Sequence, residues 1–222
     1  MNFLSHYYFD HTTTNCYHVL GTVLPDLLKN ADKNIVLHPE KHQQIQRDIQ
    51  SITYGWEKHL EVDRYFHSSE FFKTHSHQLK LLLRPAIEGS PVKPFFLGHV
   101  ALELILDNLL LTTGKVIADD FYAHLGSCDD EIIRAFLFSN GMKNPEAFIR
   151  FYDDFKRSRY LHSYAETEQV AYALKRICMR IWTNPFTRDQ ETAMNIIIRH
   201  YRQQLEDNFL SIFDEIDSML KN

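Results

Sequence analysis

The sequence predicts an all-α fold in a single domain that covers residues 1–222. Gly and Pro each occur only seven times, and so few chain breakers favour long helices over a sheet with many turns. Apolar residues recur at helical spacing through most of the chain, without a convincing strand pair or a repeat of fixed period. Because hydrophobic residues make up 44% of the chain, it can build a packed core without disulfides.

The first half of the chain contains predicted helices that are separated by recognisable breaks. Asn15–Asn30 has helical spacing, with a kink or break expected near Pro25. A longer helical region follows Pro39 and extends to about Arg84, with interruptions expected near Gly55 and Ser68. The loop after it is marked by Pro85, Gly89, Pro91 and Pro94.

The second half begins with the most apolar helix, which follows Pro94 and ends between Thr112 and Gly114. It is apolar nearly all round, as is typical of a helix at the centre of a bundle. Further helices bring the total to about eight to ten. They are predicted at about Val116–Leu125, Asp129–Ser139, Pro145–Tyr160, Glu166–Trp182 and Thr187–Leu220.

Composition and charge argue against several functional classes. A net charge of -5 is not that of a general nucleic-acid binder. The cysteines Cys16, Cys128 and Cys178 are odd in number and far apart, which fits free thiols in a reducing compartment. The N-terminal residues lack the pattern of a signal peptide, and no stretch is expected to span a membrane. We therefore expect a cytoplasmic protein.

Two helices each carry an imidazole one turn from a carboxylate. His59 and Asp63 are four residues apart, and so are His99 and Glu103, so each pair lies on one helix face. Packed together, the two helices would supply four nitrogen or oxygen ligands to one ion, as in bundle metal sites. Imidazole with carboxylate suits Zn, Mn, Fe or related ions, and the lack of thiolates weighs against a purely structural zinc.

Each pair also has a simpler interpretation. His59 and Asp63 can be a solvated pair that arises by chance in a histidine-rich chain. Glu103 is harder to explain in this way because its helix is apolar, and buried charge is costly unless it is paired or bound to a metal. A buried hydrogen bond between His99 and Glu103 without a metal is the remaining alternative.

Two further residues are candidates to complete the site. Asp26 follows the apolar segment LGTVLP, and His6 lies in the apolar segment NFLSHYYF. A polar side chain in such surroundings is either a metal ligand or a core group whose hydrogen bonds are satisfied. His67 lies one helical turn after Asp63, and Asp107 lies one turn after Glu103, so each is on the same helix face as its pair. Whether either takes part in the site stays open.

Several segments resemble those of the acyl carrier protein phosphodiesterases, also called ACP hydrolases. They are MNFLSHYYF, LGTVLPDLL, GWEKHLEVD, the HVALE helix and RYLHSYAETEQVAYALKRI. The resemblance implies an all-helical fold of the HD-phosphohydrolase type. It also implies removal of the 4'-phosphopantetheine arm from a serine of the carrier protein, with Mn or Mg. Site roles are implied for His6, Asp26, His59 and Asp63, and less directly for His99 and Glu103, where the family has two aspartates at the same spacing.

A second, more distant likeness is to the zinc-dependent phospholipases C and the fungal single-strand nucleases. These are helical, trinuclear zinc phosphodiesterases, and the order of their ligands is similar to an order in this chain. The matching residues are His6, Asp26, His59, Asp63, His67, His99 and Glu103. The two resemblances imply the same chemistry on different substrates.

The leading hypothesis is therefore a metal-dependent phosphodiesterase that uses Mn, Mg or Zn. A bound metal would generate a nucleophilic water, with Asp26 or Asp63 as the base. Lys58 and Arg64 are candidates to hold the phosphate, although both also fit a solvated surface. An acidic carrier protein would dock on the basic residues between Arg150 and Arg180, which otherwise form a solvated helix face.

Two other classes stay open. One is a helical binding or oligomeric protein whose polar core is hydrogen bonded without a metal. The other is an oxygen-activating di-iron protein, which also uses carboxylates and histidines in a helical bundle. The absence of paired Glu-x2-His motifs makes the di-iron class the less favoured of the two.

Overall fold

The computed structural model describes residues 1–41 and 46–221, and the predicted all-α class is confirmed. His42 and the expected helix start beside it lie outside the described residues. Within them the chain forms eleven α-helices, two 3₁₀ helices and no strand. The α-helices are α1 (Phe3–Tyr8), α2 (Cys16–Ala31), α3 (Arg47–Ser68), α4 (Glu70–Ala86), α5 (Pro94–Thr112), α6 (Ala118–Gly126), α7 (Asp130–Ser139), α8 (Glu146–Ser158), α9 (Thr167–Cys178), α10 (Arg188–Leu205) and α11 (Leu210–Leu220). The 3₁₀ helices are Pro39–Lys41 and Tyr160–Ala165.

The chain forms two compact units, each built from separate stretches of sequence. Unit 1 comprises Met1–Ser5, Arg64–Lys115 and Leu161–Asn222. Unit 2 comprises His6–Asp63 and Val116–Tyr160. The expectation of one domain over residues 1–222 stays a prediction.

In unit 2, α2 and α3 cross at two glycines. A Cβ atom on Gly55 would lie 2.1 Å from the carbonyl oxygen of His18, and one on Gly21 would lie 2.2 Å from that of Ile52. Real side chains do not approach so closely, so only glycine allows this crossing. The expected interruption at Gly55 was wrong, because this glycine serves helix packing inside an unbroken α3. Pro25 likewise lies within α2.

In unit 1, α5 is a core helix that packs against α4. A Cβ atom on Gly98 would lie 2.6 Å from the carbonyl oxygen of Ser76, so the two backbones are in close contact. By length and composition α5 meets the criteria of a membrane span, which the sequence analysis did not expect. Of its most apolar 18-residue window, 61% is buried within the structure, as in the core helix of a globular unit.

Two of the polar residues in α5 have partners inside unit 1. Asp107 accepts hydrogen bonds from the backbone amides of Leu4 and Ser5 at 3.2 and 2.8 Å, and from the Ser5 hydroxyl at 2.6 Å. Asn108 donates to the carbonyl of Tyr164 at 2.6 Å and accepts from Arg202 Nε at 3.0 Å. Hydrogen bonding without a metal therefore explains these two buried side chains.

Several boundaries differ from their predicted positions. The chain between Thr187 and Leu220 forms two helices, because α10 ends at Leu205 and α11 begins at Leu210. The expected break near Ser68 is confirmed, since the side chain of Ser69 accepts a hydrogen bond from the amide of Phe72 and caps α4. Helix α1 was not predicted, because its six residues are too few for a clear period and its first amides are capped by the distant Asp107.

Candidate metal centre

Unit 2 brings three of the predicted ligands together, and we call them the Asp63 group: His6, His59 and Asp63. The Nε2 atom of His6 lies 3.3 Å from Asp63 Oδ1, and the Nε2 atom of His59 lies 3.7 Å from Asp63 Oδ2. The two imidazoles stack with ring centroids 3.9 Å apart. Two helices, α1 and α3, therefore supply one carboxylate and two imidazoles that face it.

A backbone carbonyl determines which nitrogen of His59 is available to a ligand. His59 Nδ1 lies 2.9 Å from the carbonyl oxygen of Thr22. Since a carbonyl oxygen only accepts hydrogen bonds, the proton of the neutral ring lies on Nδ1 and the lone pair lies on Nε2. Metal-binding histidines are commonly oriented by such a contact, so Nε2 faces Asp63 in the protonation state that a cation requires.

His6 is the most deeply placed member of the Asp63 group. Its side chain is buried, and neither ring nitrogen has a well-formed hydrogen bond among the described residues. Burial, and then the neighbouring His59, lower the pKa of His6 to about 4, although Asp63 opposes that shift. A neutral buried imidazole without hydrogen bonds is costly, and a bound cation would satisfy it. This observation supports the fit of a metal ion.

Asp63 supplies the negative charge of this group. Burial alone would raise its pKa, but the contacts with His6 and His59 hold the pKa of this carboxyl well below its usual range. Its side chain is 34% exposed, whereas those of His6 and His59 are 0% and 4% exposed. The group thus presents an ionised carboxylate outward and keeps its imidazoles inside.

A cavity of about 420 Å³ opens beside the Asp63 group. Its lining includes His59, Asp63 and the predicted site residue Asp26. Asp26 is half-buried, and its backbone carbonyl accepts a hydrogen bond from Asn30. Asp26 therefore lies on the wall of the cavity that leads to the ligands, although it is not one of the three closely spaced groups.

Unit 1 contains a second arrangement, which we call the Glu103 group: His67, His99 and Glu103. The two Nε2 atoms lie 3.2 Å apart. Glu103 Oε1 lies 3.0 Å from His99 Nε2 and 3.6 Å from His67 Nε2. His67, whose part in the site the sequence left open, is therefore the second imidazole of this group.

The spacing of the Glu103 group is that of metal ligands. Atoms bonded to one tetrahedral ion at about 2.0–2.1 Å lie roughly 3.3 Å from one another. The three edges of this triangle are 3.0, 3.2 and 3.6 Å. Two facing imidazole nitrogens must share either a proton or a cation, because two lone pairs at this distance repel each other. The donors fit a divalent ion without rearrangement.

Glu103 is the least exposed member of its group, with 15% of its side chain exposed. Burial alone would raise its pKa, but the amino group of Met1, 3.3 Å away, and the rings of His67 and His99 hold that pKa well below its usual range. An ionised carboxylate in an apolar helix is stable only beside such positive or donor groups. The sequence predicts that a charge at Glu103 in the apolar helix α5 needs partners, and these surroundings provide them.

The two basic residues beside the first pair have other partners. Lys58 donates to Asp10 Oδ1 at 2.8 Å. The guanidinium of Arg64 lies 4.7 Å from the ring centre of Tyr65. These contacts favour the interpretation of Lys58 and Arg64 as structural surface charges. Among the described residues, the lysine that lines the cavity is Lys29.

Most of the basic residues between Arg150 and Arg180 lie beside acidic ones. Ion pairs join Lys156 to Asp153, Arg157 to Asp154, Arg159 to Asp119 and Lys175 to Glu191, at 2.5–3.2 Å. Such pairs are typical of a solvated helix face. They reduce the positive charge that an acidic partner would meet.

Comparison of the chain with protein-family models, with curated proteins and with solved structures found no match. The resemblance to the ACP hydrolases therefore stays a prediction that rests on the segments quoted above. Conclusions about function come from the geometry of the two groups and of the cavity.

The sequence did not predict the carbonyl of Thr22, which orients His59. Every residue has a backbone carbonyl, so the residue pattern cannot show which one is used. A signal for His67 did exist. It lies four residues after Asp63 on the same helix, and this spacing alone does not separate a ligand from a solvated histidine. The prediction that all six ligands form one centre stays a prediction.

Proposed function

We propose that this chain is a metal-dependent phosphodiesterase whose reaction takes place at the Asp63 group. The observation that carries the proposal is that two buried imidazoles and an ionised carboxylate lie together, and that His59 and Asp63 of this group line a cavity of about 420 Å³. Ligand-binding cavities in proteins commonly have volumes of about 300–1,000 Å³. The residues that the ACP hydrolase likeness implicates, His6, Asp26, His59 and Asp63, are those that form the group or line its cavity.

A divalent ion held by His6, His59 and Asp63 would supply a water of lowered pKa and would polarise a phosphoryl oxygen. The protein's own residues provide the rest. Thr22 holds His59 in the tautomer that leaves Nε2 available. Asp26, on the cavity wall, takes the proton of the attacking water as general base.

The charge of the cavity explains why the reaction would depend on a metal. Asp26, Glu40 and Asp63 all line it, and Lys29 is the one lysine or arginine among the described residues that line it. Lys29 donates to the carbonyl oxygen of Ile35 at 2.9 Å. Without a bound cation this acidic surface repels a phosphate, so ion and substrate bind in that order.

The decisive experiment combines metal analysis with a substrate screen. Purified protein is analysed for metal by mass spectrometry and then assayed on bis-p-nitrophenyl phosphate with added Mn, Mg or Zn. We expect at least one equivalent of metal per chain, and hydrolysis that a chelator abolishes and one of these ions restores.

The competing class, a hydrogen-bonded helical binding protein, makes the opposite prediction. Less than about a tenth of an equivalent of metal, with a melting temperature unchanged by Mn or Zn, would contradict the proposal. A ligand that binds only the folded state must raise that temperature.

An acyl carrier protein with its 4'-phosphopantetheine arm is the specific substrate that the resemblance favours. If it docks on the basic residues of α8 and α9, Arg157→Glu and Arg176→Glu slow its cleavage and leave bis-p-nitrophenyl phosphate unaffected. Equal rates on the carrier protein for wild type and variants would rule out this docking surface while the diesterase activity remained.

A further inference from the structure

The cavity beside the Asp63 group has both charged and apolar residues in its lining. Asp26 and Asp63 contribute carboxylates, and the apolar residues, which we call the apolar wall, include Leu28, Leu37 and Trp56. Of the thirteen described residues that line the cavity, seven have aliphatic or indole side chains. The cavity therefore offers charged groups beside the Asp63 group and apolar surface for a substituent of the phosphate.

Two apolar residues on this wall are unusually exposed. Val36 is 64% exposed and Leu60 is 43% exposed, although the chain has a large core in which such side chains are normally buried. Single exposed apolar residues need no explanation, but these two line the same cavity as the catalytic carboxylates. Leu60 directly follows His59 in α3, so an occupant of the apolar wall lies beside the ligands.

Several polar groups of the cavity lining already have partners. Lys29 donates to the carbonyl of Ile35 at 2.9 Å, and His38 Nδ1 lies 3.0 Å from Glu40 Oε1, whereas Glu40 Oε2 is buried without a hydrogen bond among the described residues. A highly charged substituent would have to displace these contacts and would meet the carboxylate of Glu40. An apolar substituent displaces none of them and covers Val36 and Leu60.

We infer that the substrate of this site is a soluble phosphodiester that carries one apolar chain, in place of the polar pantetheine arm of a carrier protein, and that Val36 and Leu60 bind this chain. The inference deepens the proposed function and rests on it for the position of the phosphate. The phosphate lies at the Asp63 group, and the chain extends along the apolar wall. A volume of about 420 Å³ suits one chain of moderate length and not a pair of long acyl chains.

The expected gain in affinity depends on the length of the alkyl chain of the substrate. Each methylene that leaves water contributes about a fourfold gain in affinity. A cavity open to solvent covers only part of the chain, so we expect at least about a tenfold gain from a methyl to an octyl substituent.

The test uses methyl, butyl and octyl p-nitrophenyl phosphates with Mn-loaded protein, below the concentration at which the octyl ester aggregates. We expect kcat/KM to rise at least tenfold along this series. Binding is measured separately with methyl, butyl and octyl phosphate through the fluorescence of Trp56, in a Trp182→Phe background where it is the sole tryptophan.

Variants test whether Val36 and Leu60 cause the dependence of kcat/KM on chain length. Val36→Ser and Leu60→Ser each lower the octyl-to-methyl ratio about threefold, and the double variant lowers it about tenfold. Both positions are exposed, so folding tolerates these changes. Ile196→Ser, at a position that is 62% exposed on α10, is the matched control and leaves the ratio unchanged.

The outcomes separate this inference from the proposed function. Affinity that rises with chain length, without turnover of any ester, would support the apolar wall and contradict the phosphodiesterase. Turnover that is equal for all three esters would overturn the inference and leave the phosphodiesterase standing. Cleavage confined to phosphatidylcholine vesicles would likewise overturn a soluble single-chain substrate.

Discussion

The Asp63 group and the Glu103 group each contain two imidazoles and one carboxylate, but the less exposed part is the imidazole pair in the first and the carboxylate in the second. In the Asp63 group the imidazoles are 0% and 4% exposed and the carboxylate is 34% exposed. In the Glu103 group the imidazoles are 34% and 39% exposed and the carboxylate is 15% exposed. One spacing, a histidine four residues before a carboxylate, thus produces two different environments.

Packing, rather than spacing, accounts for this difference between the two groups. Burial lowers the pKa of His6 and keeps that ring neutral, and the partly exposed carboxylate of Asp63 lines the cavity. The less exposed carboxylate of Glu103 instead lies in the core helix of unit 1, beside two more exposed rings. We therefore propose that the reaction takes place at the first group, whereas the second could hold a further cation.

The largest expected effect is the loss of diesterase activity when Asp63 is substituted. It tests whether the reaction takes place at the Asp63 group. Asp63→Asn keeps the shape of the side chain and removes its charge, so we expect diesterase activity to fall at least about a hundredfold. The change in kcat/KM on bis-p-nitrophenyl phosphate measures this loss. Glu61→Gln, an exposed carboxylate on the same helix, is the charge-matched control and retains activity.

The metal content tests whether the two groups bind ions independently. Two complete sets of ligands predict two ions per chain, with one lost in Asp63→Asn and the other in Glu103→Gln. Isothermal titration with Zn or Mn counts the sites in each variant. Loss of all metal in either single variant would show that the groups do not bind independently and would remove the distinction drawn above.

The helix crossing in unit 2 is tested by stability. Gly55→Ala puts a methyl group 2.1 Å from the carbonyl oxygen of His18, and we expect a loss of about 1–3 kcal/mol in the free energy of unfolding. Urea denaturation measures it. Gly126→Ala, where a Cβ atom meets nothing within 4 Å, should instead stabilise the protein by about 0.5–1 kcal/mol.

The last effect is a dependence of stability on pH in the core of unit 1. Burial raises the pKa of Asp107 to about 7, against the opposing hydrogen bonds from Ser5 and Leu4. Because the folded state then holds a proton that the unfolded state has released, this carboxyl lowers stability as pH rises from about 4 to 7. The slope is at most about 1.4 kcal/mol per pH unit.

Asp107→Asn removes this ionisation, so its free energy of unfolding should depend less on pH across the same window. Urea denaturation at half-unit intervals measures the two slopes. Asp214→Asn, at an exposed position on α11, is the control and should keep the wild-type slope. Parallel curves for Asp107→Asn and wild type would show that Asp107 does not titrate there.

The sequence identified Glu103 as unusual for a physical reason that holds generally. A carboxylate in a helix that is apolar all round is largely removed from water, so it must have partners. The same argument applied to Asp107 and Asn108, where the partners are a short helix and Arg202 instead of a ligand. Composition can show that a buried polar group needs a partner, but the fold decides which one.

The sequence by itself determined the all-α class and the two histidine–carboxylate spacings, because helical periodicity and scarce Gly and Pro act locally. Only the tertiary structure brought His6 to Asp63, turned His59 towards it through the carbonyl of Thr22, and joined His67 to His99. It also placed exposed apolar side chains along the wall of the cavity beside Asp63. These contacts join residues on different helices, and their geometry depends on how closely those helices approach, which no local pattern encodes.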